Sequence, residues 1–460
     1  MMNWPPKKLS LTFASFAGIM ALTDLIPPLR DYKVMDWTIV STVADFAERK
    51  QSQSPEAEES ERLKPDTNPL RQAKFPVLDP TRVMDRFYRA LHQAEGKSGV
   101  ARVLHYGDSP TTADMITSDV RALLQRHFGD ASHGFCLIAK PWAWYGHKGL
   151  DSQASGWLID PANQPTIKDG LFGLGAVSFR AGPGARARIR LRDSTHKRIE
   201  VAYLQQPDGG QVRITADGQD LGVLRTDGEK RTAFAPFALP PESNEVVFTV
   251  LSGPVRLYGV SFEKDSPGLI YDSLGVNGAS VTMLAKNMSQ AHWRDQLQHT
   301  KPDLVIINYG TNESGYPQFI DTVSEQLTRE VIQRLREAVP EAAILIMSPM
   351  DRGTRQTAGE IGTVPGIPRL VAIQQRVAQA TGVAFFNTFE AMGGVGTMGR
   401  WYEAEPRLVG ADFIHPMPAG ARIVGGLLYQ ALLDGYNKYK LRLIEEKLMA
   451  SESASTAARK

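Results

Sequence analysis

Apolar positions recur at helical spacing at Val83, Phe87 and Leu91, then run together in Arg102-Val103-Leu104-His105-Tyr106, which predicts a helix followed by a short strand. Helical spacing returns at Ile116, Val120, Leu123 and Leu124. From about Leu171 to Phe262 the pattern changes to short alternating runs separated by Gly, Pro and Asp. The runs are Ala185 to Leu191, Ile199 to Leu204, Gln211 to Ala216, Val246 to Val250 and Val255 to Val260. Such runs predict an antiparallel β-sandwich or jelly roll. Gly268-Leu269-Ile270-Tyr271-Asp272-Ser273 then opens a different stretch, in which Leu304 to Ile307 is continuously apolar, as in a parallel strand buried on both faces. A helix around Leu327 to Val339 precedes the strand Ala343 to Met347, and a helix over Leu370 to Ala380 precedes Val383 to Phe386. This alternation predicts a three-layer α/β fold, a parallel sheet with helices on both faces, carrying an inserted β domain.

The expected boundaries are 79–160 and 266–442 for the two parts of the α/β domain and 161–265 for the insert. Residues 47–78 are polar, charged and proline-bearing, and read as a linker. Residues 443–460 read as a tail, disordered from Ser451. In residues 1–46, Lys7-Lys8 precede an apolar stretch from Leu9 to Ile26 that is interrupted by Asp24 and closed by Pro27-Pro28. It suits a signal-peptide apolar region or an uncleaved anchor, and either takes the rest of the chain out of the cytoplasm. A buried N-terminal helix is the third reading.

A net charge of +2 gives no reason to expect a nucleic-acid partner. The lone cysteine, Cys136, excludes an internal disulfide framework and, between Phe135 and Leu137, reads as a buried thiol. No Cys or His pair stands at metal-ligand spacing, so no metal and no cofactor are expected.

Chemistry enters with four short motifs in order: Gly107-Asp108-Ser109, Gly275-Val276-Asn277-Gly278, Gly310-Thr311-Asn312-Glu313 and Asp412-Phe413-Ile414-His415-Pro416. A Gly-Asp-Ser tripeptide alone is weak, since chance supplies one in roughly every ten chains of this length. All four together provide a nucleophile, Ser109, a general base, His415, and a carboxylate to orient it, Asp412. Ser109 falls at a strand-to-helix turn, where backbone N–H groups and the helix dipole favour a developing anion. Trp142, Trp144, Tyr145 and Trp157 form an aromatic cluster before the insert, either a platform for sugar rings or packing between domains.

The motif set resembles the SGNH (GDSL-type) hydrolases, whose fold is flavodoxin-like. Leu104-His105-Tyr106-Gly107-Asp108-Ser109, Arg126-His127-Phe128-Gly129-Asp130, Ser273 to Ala279 and Tyr309 to Glu313 are similar to one subgroup, the bacterial peptidoglycan O-acetylesterases. The resemblance implies removal of acetyl from the C6 hydroxyl of N-acetylmuramic acid, at a periplasmic location. It implies an oxyanion hole made by the N–H groups of Ser109 and Gly278 and the side chain of Asn312. Gly275 shares the second motif, and register with the family points to Gly278. It also implies that the insert helps hold glycan. From the aromatic cluster, Trp142, Trp144 and Tyr145 are the expected substrate-binding residues, and the apolar N-terminal segment is the expected route to the membrane. The subgroup often carries His after the nucleophile where Pro110 stands here, a departure at the expected substrate rim. A glycan O-acetyltransferase, a lipase or thioesterase, and a non-catalytic glycan-binding scaffold are the alternatives.

Overall fold

In the computed structural model, which describes residues 73–357 and 359–458, helix α1 (Asp85–Glu95) leads into β1 (Val100–Gly107). Ser109 opens the single-turn helix α2 (Ser109–Thr112), and the amphipathic helix expected after the first motif is α3 (Met115–Phe128). The nucleophile candidate therefore stands on its own short turn, and the dipole of the long helix begins several residues later.

The chain then passes through β2 (Gly134–Cys136), β3 (Leu150–Ser155), β4 (Leu158–Pro161), β5 (Val177–Ala181), β6 (Arg186–Leu191), β7 (Arg198–Gln205), β8 (Gln211–Ala216), β9 (Gln219–Arg225), β10 (Arg231–Ala238), β11 (Glu245–Ser252) and β12 (Val255–Glu263). It returns through β13 (Gly268–Gly275), α4 (Gln290–Thr300), β14 (Leu304–Asn308), α5 (Pro317–Thr322), α6 (Ser324–Ala338) and β15 (Ala343–Met347). After a small hairpin come α7 (Gly366–Thr381), β18 (Ala384–Phe386), two short helices and α10 (Pro418–Ala458), the hairpin strands being β16 (Gly353–Arg355) and β17 (Ile361–Thr363) and the short helices α8 (Thr388–Met392) and α9 (Thr397–Glu403).

Five strands form one parallel sheet in the order β13-β1-β14-β15-β18. In chain order this is 2-1-3-4-5, the flavodoxin arrangement. Alternate strand residues face opposite ways, and both faces are apolar. Val103, Leu269, Leu304 and Ile306 pack with Phe87, Val120, Leu124, Val424 and Leu428 from α1, α3 and α10. Leu104, Val305, Ile307 and Ile344 pack with Trp293, Val331 and Val371 from α4, α6 and α7. That second cluster runs on into Val201, Phe248 and Leu257 of the insert, so the two domains share one core.

The insert is two antiparallel sheets, β10-β7-β12-β5-β4 with β2 added on β12, and β3-β6-β11-β8-β9. Its first strands lie upstream of residue 161, so the expected boundary is corrected to the segment that leaves α3. The reason is physical. The alternating runs in the sequence are β6, β7, β8, β11 and β12, all interior strands, while β3, β4, β9 and β10 are sheet edges. Edge strands are short, polar or interrupted by proline; Pro161 ends β4 and Pro236 lies within β10.

Two further boundaries move. Residues 73–78, expected as linker, are docked: Phe75 and Val77 pack on the core, and Leu78 pairs in both directions with Phe385 at 2.8 and 2.9 Å. The tail expected from residue 443 continues α10 as helix to Ala458. Among the described residues no helix is long and apolar enough to cross a membrane; the Leu9–Ile26 segment and residues 47–72 lie outside the described residues.

Candidate active site

Three adjacent strands end at one level. Gly107 of β1 pairs with Gly275 of β13 on one side and Asn308 of β14 on the other. The first three motifs therefore emerge together from the carboxyl edge of the sheet, at the point where strand order reverses and open α/β sheets bind ligands. The fourth motif reaches them from the loop before α10.

His415 Nε2 stands 2.8 Å from Ser109 Oγ, and His415 Nδ1 stands 2.6 Å from Asp412 Oδ2. The other Asp412 oxygen accepts the N–H groups of Ile414 and His415 at 3.0 and 3.1 Å. Burial works against the charged form of Asp412, but these hydrogen bonds outweigh it and hold the carboxyl below its usual range. Phe413, inside the same turn, has φ +59°, a left-handed conformation that is costly for a bulky residue. Its ring is buried against Tyr402 at 4.8 Å, so packing holds the strained turn that aims Asp412 and His415 in one direction.

The second motif separates its two glycines. A Cβ on Gly275 would lie 2.3 Å from the Thr112 nitrogen and 2.6 Å from the Thr111 carbonyl carbon, so this glycine lets β13 pack against the nucleophile turn. Gly278 has φ +70° and faces open space, with Asn163 Nδ2 the nearest group at 3.8 Å. Among the described residues its N–H donates to no protein acceptor. Asn312 Nδ2 donates to the Ala279 carbonyl at 2.8 Å, which ties the third motif to the second and leaves one amide hydrogen over.

The insert supports this turn. Asn163 Nδ2 donates to the Asn277 carbonyl at 2.9 Å, and Trp144 Nε1 donates to Asn277 Oδ1 at 3.2 Å. Arg352 Nη1 donates to the Thr311 carbonyl at 2.9 Å from the far side. Neither Asn163 nor Arg352 stands in a motif, and nothing in its sequence neighbourhood marks it.

Of the aromatic cluster, Trp144 is 57% exposed beside the Asn277–Gly278 turn, whereas Tyr145 is 7% exposed and its hydroxyl accepts the Leu137 N–H. Trp142 and Trp157 are half-buried against the shared core. Tyr145 is thus a packing residue by placement, a correction to the expected platform, whereas Trp142 is only half-buried and Trp144 faces solvent. The reason is that the core continues beneath this segment and takes the rings facing it. His105 is buried in β1, with Nδ1 2.7 Å from the Tyr271 hydroxyl and its pKa pushed down to about 4 by burial. Cys136 is buried and its thiol is pushed up by the same cause.

Behind Ser109 lie two buried carboxyls. Burial, reinforced by Glu313, pushes Asp108 up to about 8. Burial also pushes Glu313 up to about 7, against the hydrogen bond its Oε1 accepts from the Val281 N–H at 2.9 Å. Both bind a proton in the fold that the unfolded chain releases near pH 4, so stability is fully present at low pH and is lost as pH rises through about 7 to 8. Glu313→Gln should flatten that decline, by an amount on the order of 2 kcal/mol between pH 5 and 8. Thermal melts across this range check it, and parallel curves for the two proteins would count against the buried acid.

This assembly can do nucleophilic acyl transfer: an alcohol with a base at hydrogen-bond distance, a carboxylate orienting that base, and donors beside an open position. Fold and geometry are those of a carboxylic ester hydrolase and are similar to the SGNH (GDSL-type) class. Residues 256–423 match the sequence profile of the GDSL-like lipase/acylhydrolase family. The match begins in β12 and takes in Gly278, Asn312, Asp412 and His415, while Ser109 lies upstream of the insert. Among solved structures the chain is similar to a peptidoglycan O-acetylesterase, 23% identical at TM-score 0.67 over 77% of this chain and 97% of that one. A carbohydrate esterase family 2 enzyme with its carbohydrate-binding domain, from Corynascus thermopiles (Myceliophthora fergusii), matches at 13% identity and TM-score 0.29 over 62% of this chain and 99% of that one. No curated protein matches the sequence.

Proposed function

We propose that this protein is a serine esterase that removes O-acetyl groups from peptidoglycan, at the C6 hydroxyl of N-acetylmuramic acid. The observation that carries the chemistry is the unbroken chain from Asp412 through His415 to Ser109. The choice of substrate rests on likeness in fold to a peptidoglycan O-acetylesterase and on the motif resemblance. Such a substrate puts the catalytic part outside the cytoplasm, in the periplasm, with Leu9–Ile26 as the route there or the anchor.

In this reading Ser109 Oγ attacks the acetyl carbonyl as His415 Nε2 takes its proton, and Asp412 stabilises the imidazolium. The N–H groups of Ser109 and Gly278 and the free amide hydrogen of Asn312 meet the oxyanion. The sugar alcohol leaves with the proton from His415, and water then releases acetate from the acetyl-serine. Trp144, exposed beside the oxyanion turn, offers its ring face to the glycan.

Each oxyanion donor is worth about 3 kcal/mol in the transition state. Asn312→Ala should therefore lower kcat about 100-fold with KM nearly unchanged, read from acetate-release kinetics. A change confined to KM would mean that Asn312 binds substrate instead.

The test of the whole reading is acetate release from O-acetylated peptidoglycan by wild type and Ser109→Ala, with acetylated xylan and a chitooligosaccharide acceptor in parallel. Acetate from peptidoglycan with wild type alone supports it. Acetyl appearing on the acceptor without acetate release makes the protein a transferase, release from xylan alone moves the substrate elsewhere, and no turnover from folded protein leaves a binding scaffold.

A further inference from the structure

Away from the triad, three histidines pack together where the insert joins the parallel-sheet domain. His133 lies between α3 and β2, His147 precedes β3, and His196 lies in the loop between β6 and β7. The His133 ring stacks on His196 with centroids 5.0 Å apart and meets His147 edge-on at 5.9 Å. In all three, Nε2 is buried with no hydrogen-bond partner among the described residues.

The tautomers sharpen the point. His196, 1% exposed, has Nδ1 3.3 Å from the Asp193 carbonyl. A carbonyl only accepts, so the proton sits on Nδ1 and Nε2 carries a bare lone pair, the form that binds metals. His147 Nδ1 faces the Lys148 carbonyl at 3.2 Å in the same way. A buried acceptor without a donor costs about 1–3 kcal/mol, and apolar packing gives no reason to place such lone pairs beside a third ring nitrogen that has no partner.

A carboxylate completes the group. One ligand atom each from His133, Asp193 and His196 lie within 4.8 Å of one another. Asp193 Oδ1 accepts the Thr195 N–H and hydroxyl at 2.9 and 2.7 Å, and Oδ2 pairs with Lys264, so the carboxylate is held in place with lone pairs to spare. The backbone also fits the ring: a Cβ on Gly149 would lie 2.4 Å from His133 Cε1. The three imidazoles are buried or half-buried. The charged groups around them are Asp114, Asp130 and Asp193 against Arg121 and Lys264, three negative and two positive, so a cation is not opposed by net charge.

We propose that His133, Asp193 and His196 bind a divalent transition-metal ion of the zinc class, which clamps the β6–β7 loop to the segment that leaves α3. Two imidazole nitrogens and one carboxylate suit zinc, cobalt or nickel rather than calcium or magnesium. Ligands about 2 Å from a tetrahedral zinc stand about 3.3 Å apart, so binding draws the β6–β7 loop inward by roughly 1 Å. Sequence spacing gave no sign of it, because His133 and His196 meet only when the insert folds back on α3.

The test uses the untagged full chain, stripped with a chelator, re-equilibrated with zinc and passed through gel filtration before metal analysis. The expected result is about one zinc per chain in wild type and in His415→Gln, and near none in His133→Gln, His196→Gln or Asp193→Asn. Zinc should raise the wild-type Tm by several degrees, and cobalt should give the visible bands of a four-coordinate site. Any one ligand variant that folds suffices for the comparison, because the three act on the same ion. No zinc or cobalt retained by wild type overturns the proposal, as does equal retention in every folded ligand variant, or loss in His415→Gln alone, which moves the ion to the triad. Esterase activity takes no part in the readout, so this proposal and the proposed function fail separately.

Discussion

Ser109→Ala is expected to lower kcat/KM for acetate release at least 1,000-fold, His415→Ala about as much, and the double variant no further. The three side chains form one hydrogen-bonded chain, with 2.8 Å from Ser109 Oγ to His415 Nε2 and 2.6 Å from His415 Nδ1 to Asp412 Oδ2. Once either end of the proton transfer is gone, the other has nothing to act on, so the losses do not add. What remains is binding and oxyanion stabilisation, which Gly278 and Asn312 would still supply. Circular dichroism and thermal melts should show all three variants folded, since the Ser109 hydroxyl, though buried, bonds among the described residues to the His415 ring and braces no other element. A double variant that loses as much as the product of the two singles would mean that Ser109 and His415 act separately.

Gly275→Ala is expected to cost about 3 kcal/mol of stability or more, while Gly278→Ala costs about 1 kcal/mol and acts on rate. The two stand three residues apart in one motif and meet opposite surroundings. At Gly275 the new methyl would strike the backbone of Thr111 and Thr112, at 2.3 to 2.6 Å, and backbone in the turn that carries Ser109 has no room to retreat. At Gly278 nothing lies nearer than 3.8 Å, and the penalty comes only from φ +70°. Denaturant melts separate the stabilities, and acetate-release kinetics on the folded fraction separate the rates. Similar Tm values for Gly275→Ala and wild type would show that β13 does not brace the nucleophile turn.

The two glycines also mark how far the sequence could be read. Both carry the same signal along the chain, and only their neighbours distinguish a glycine that admits a strand from one that exposes an N–H. The edges of the insert were illegible for a related reason. Interior strands such as β6 and β11 bury every second side chain and must alternate, but β3, β4, β9 and β10 have a free side and carry polar residues or proline there. Phe75, Val77 and Leu78 were hidden by the polar stretch before them, although they dock on the sheet. Tyr145 and Trp144 are adjacent in sequence, yet one enters the core and the other faces solvent.

By itself the sequence determined the elements and their order, because periodicity follows from which faces must leave water. It also picked out Ser109, Asp412 and His415, which the fold joins in one hydrogen-bonded chain, because they fall in motifs whose strand and loop contexts are local. Tertiary structure alone decided the rest: the register that brings Gly107, Gly275 and Asn308 to one level, the hold of Asn163 and Trp144 on the Asn277–Gly278 turn, and the meeting of His133, Asp193 and His196. Those are contacts between segments far apart in the chain, and a local pattern carries no record of what a side chain will meet once distant backbone has closed around it.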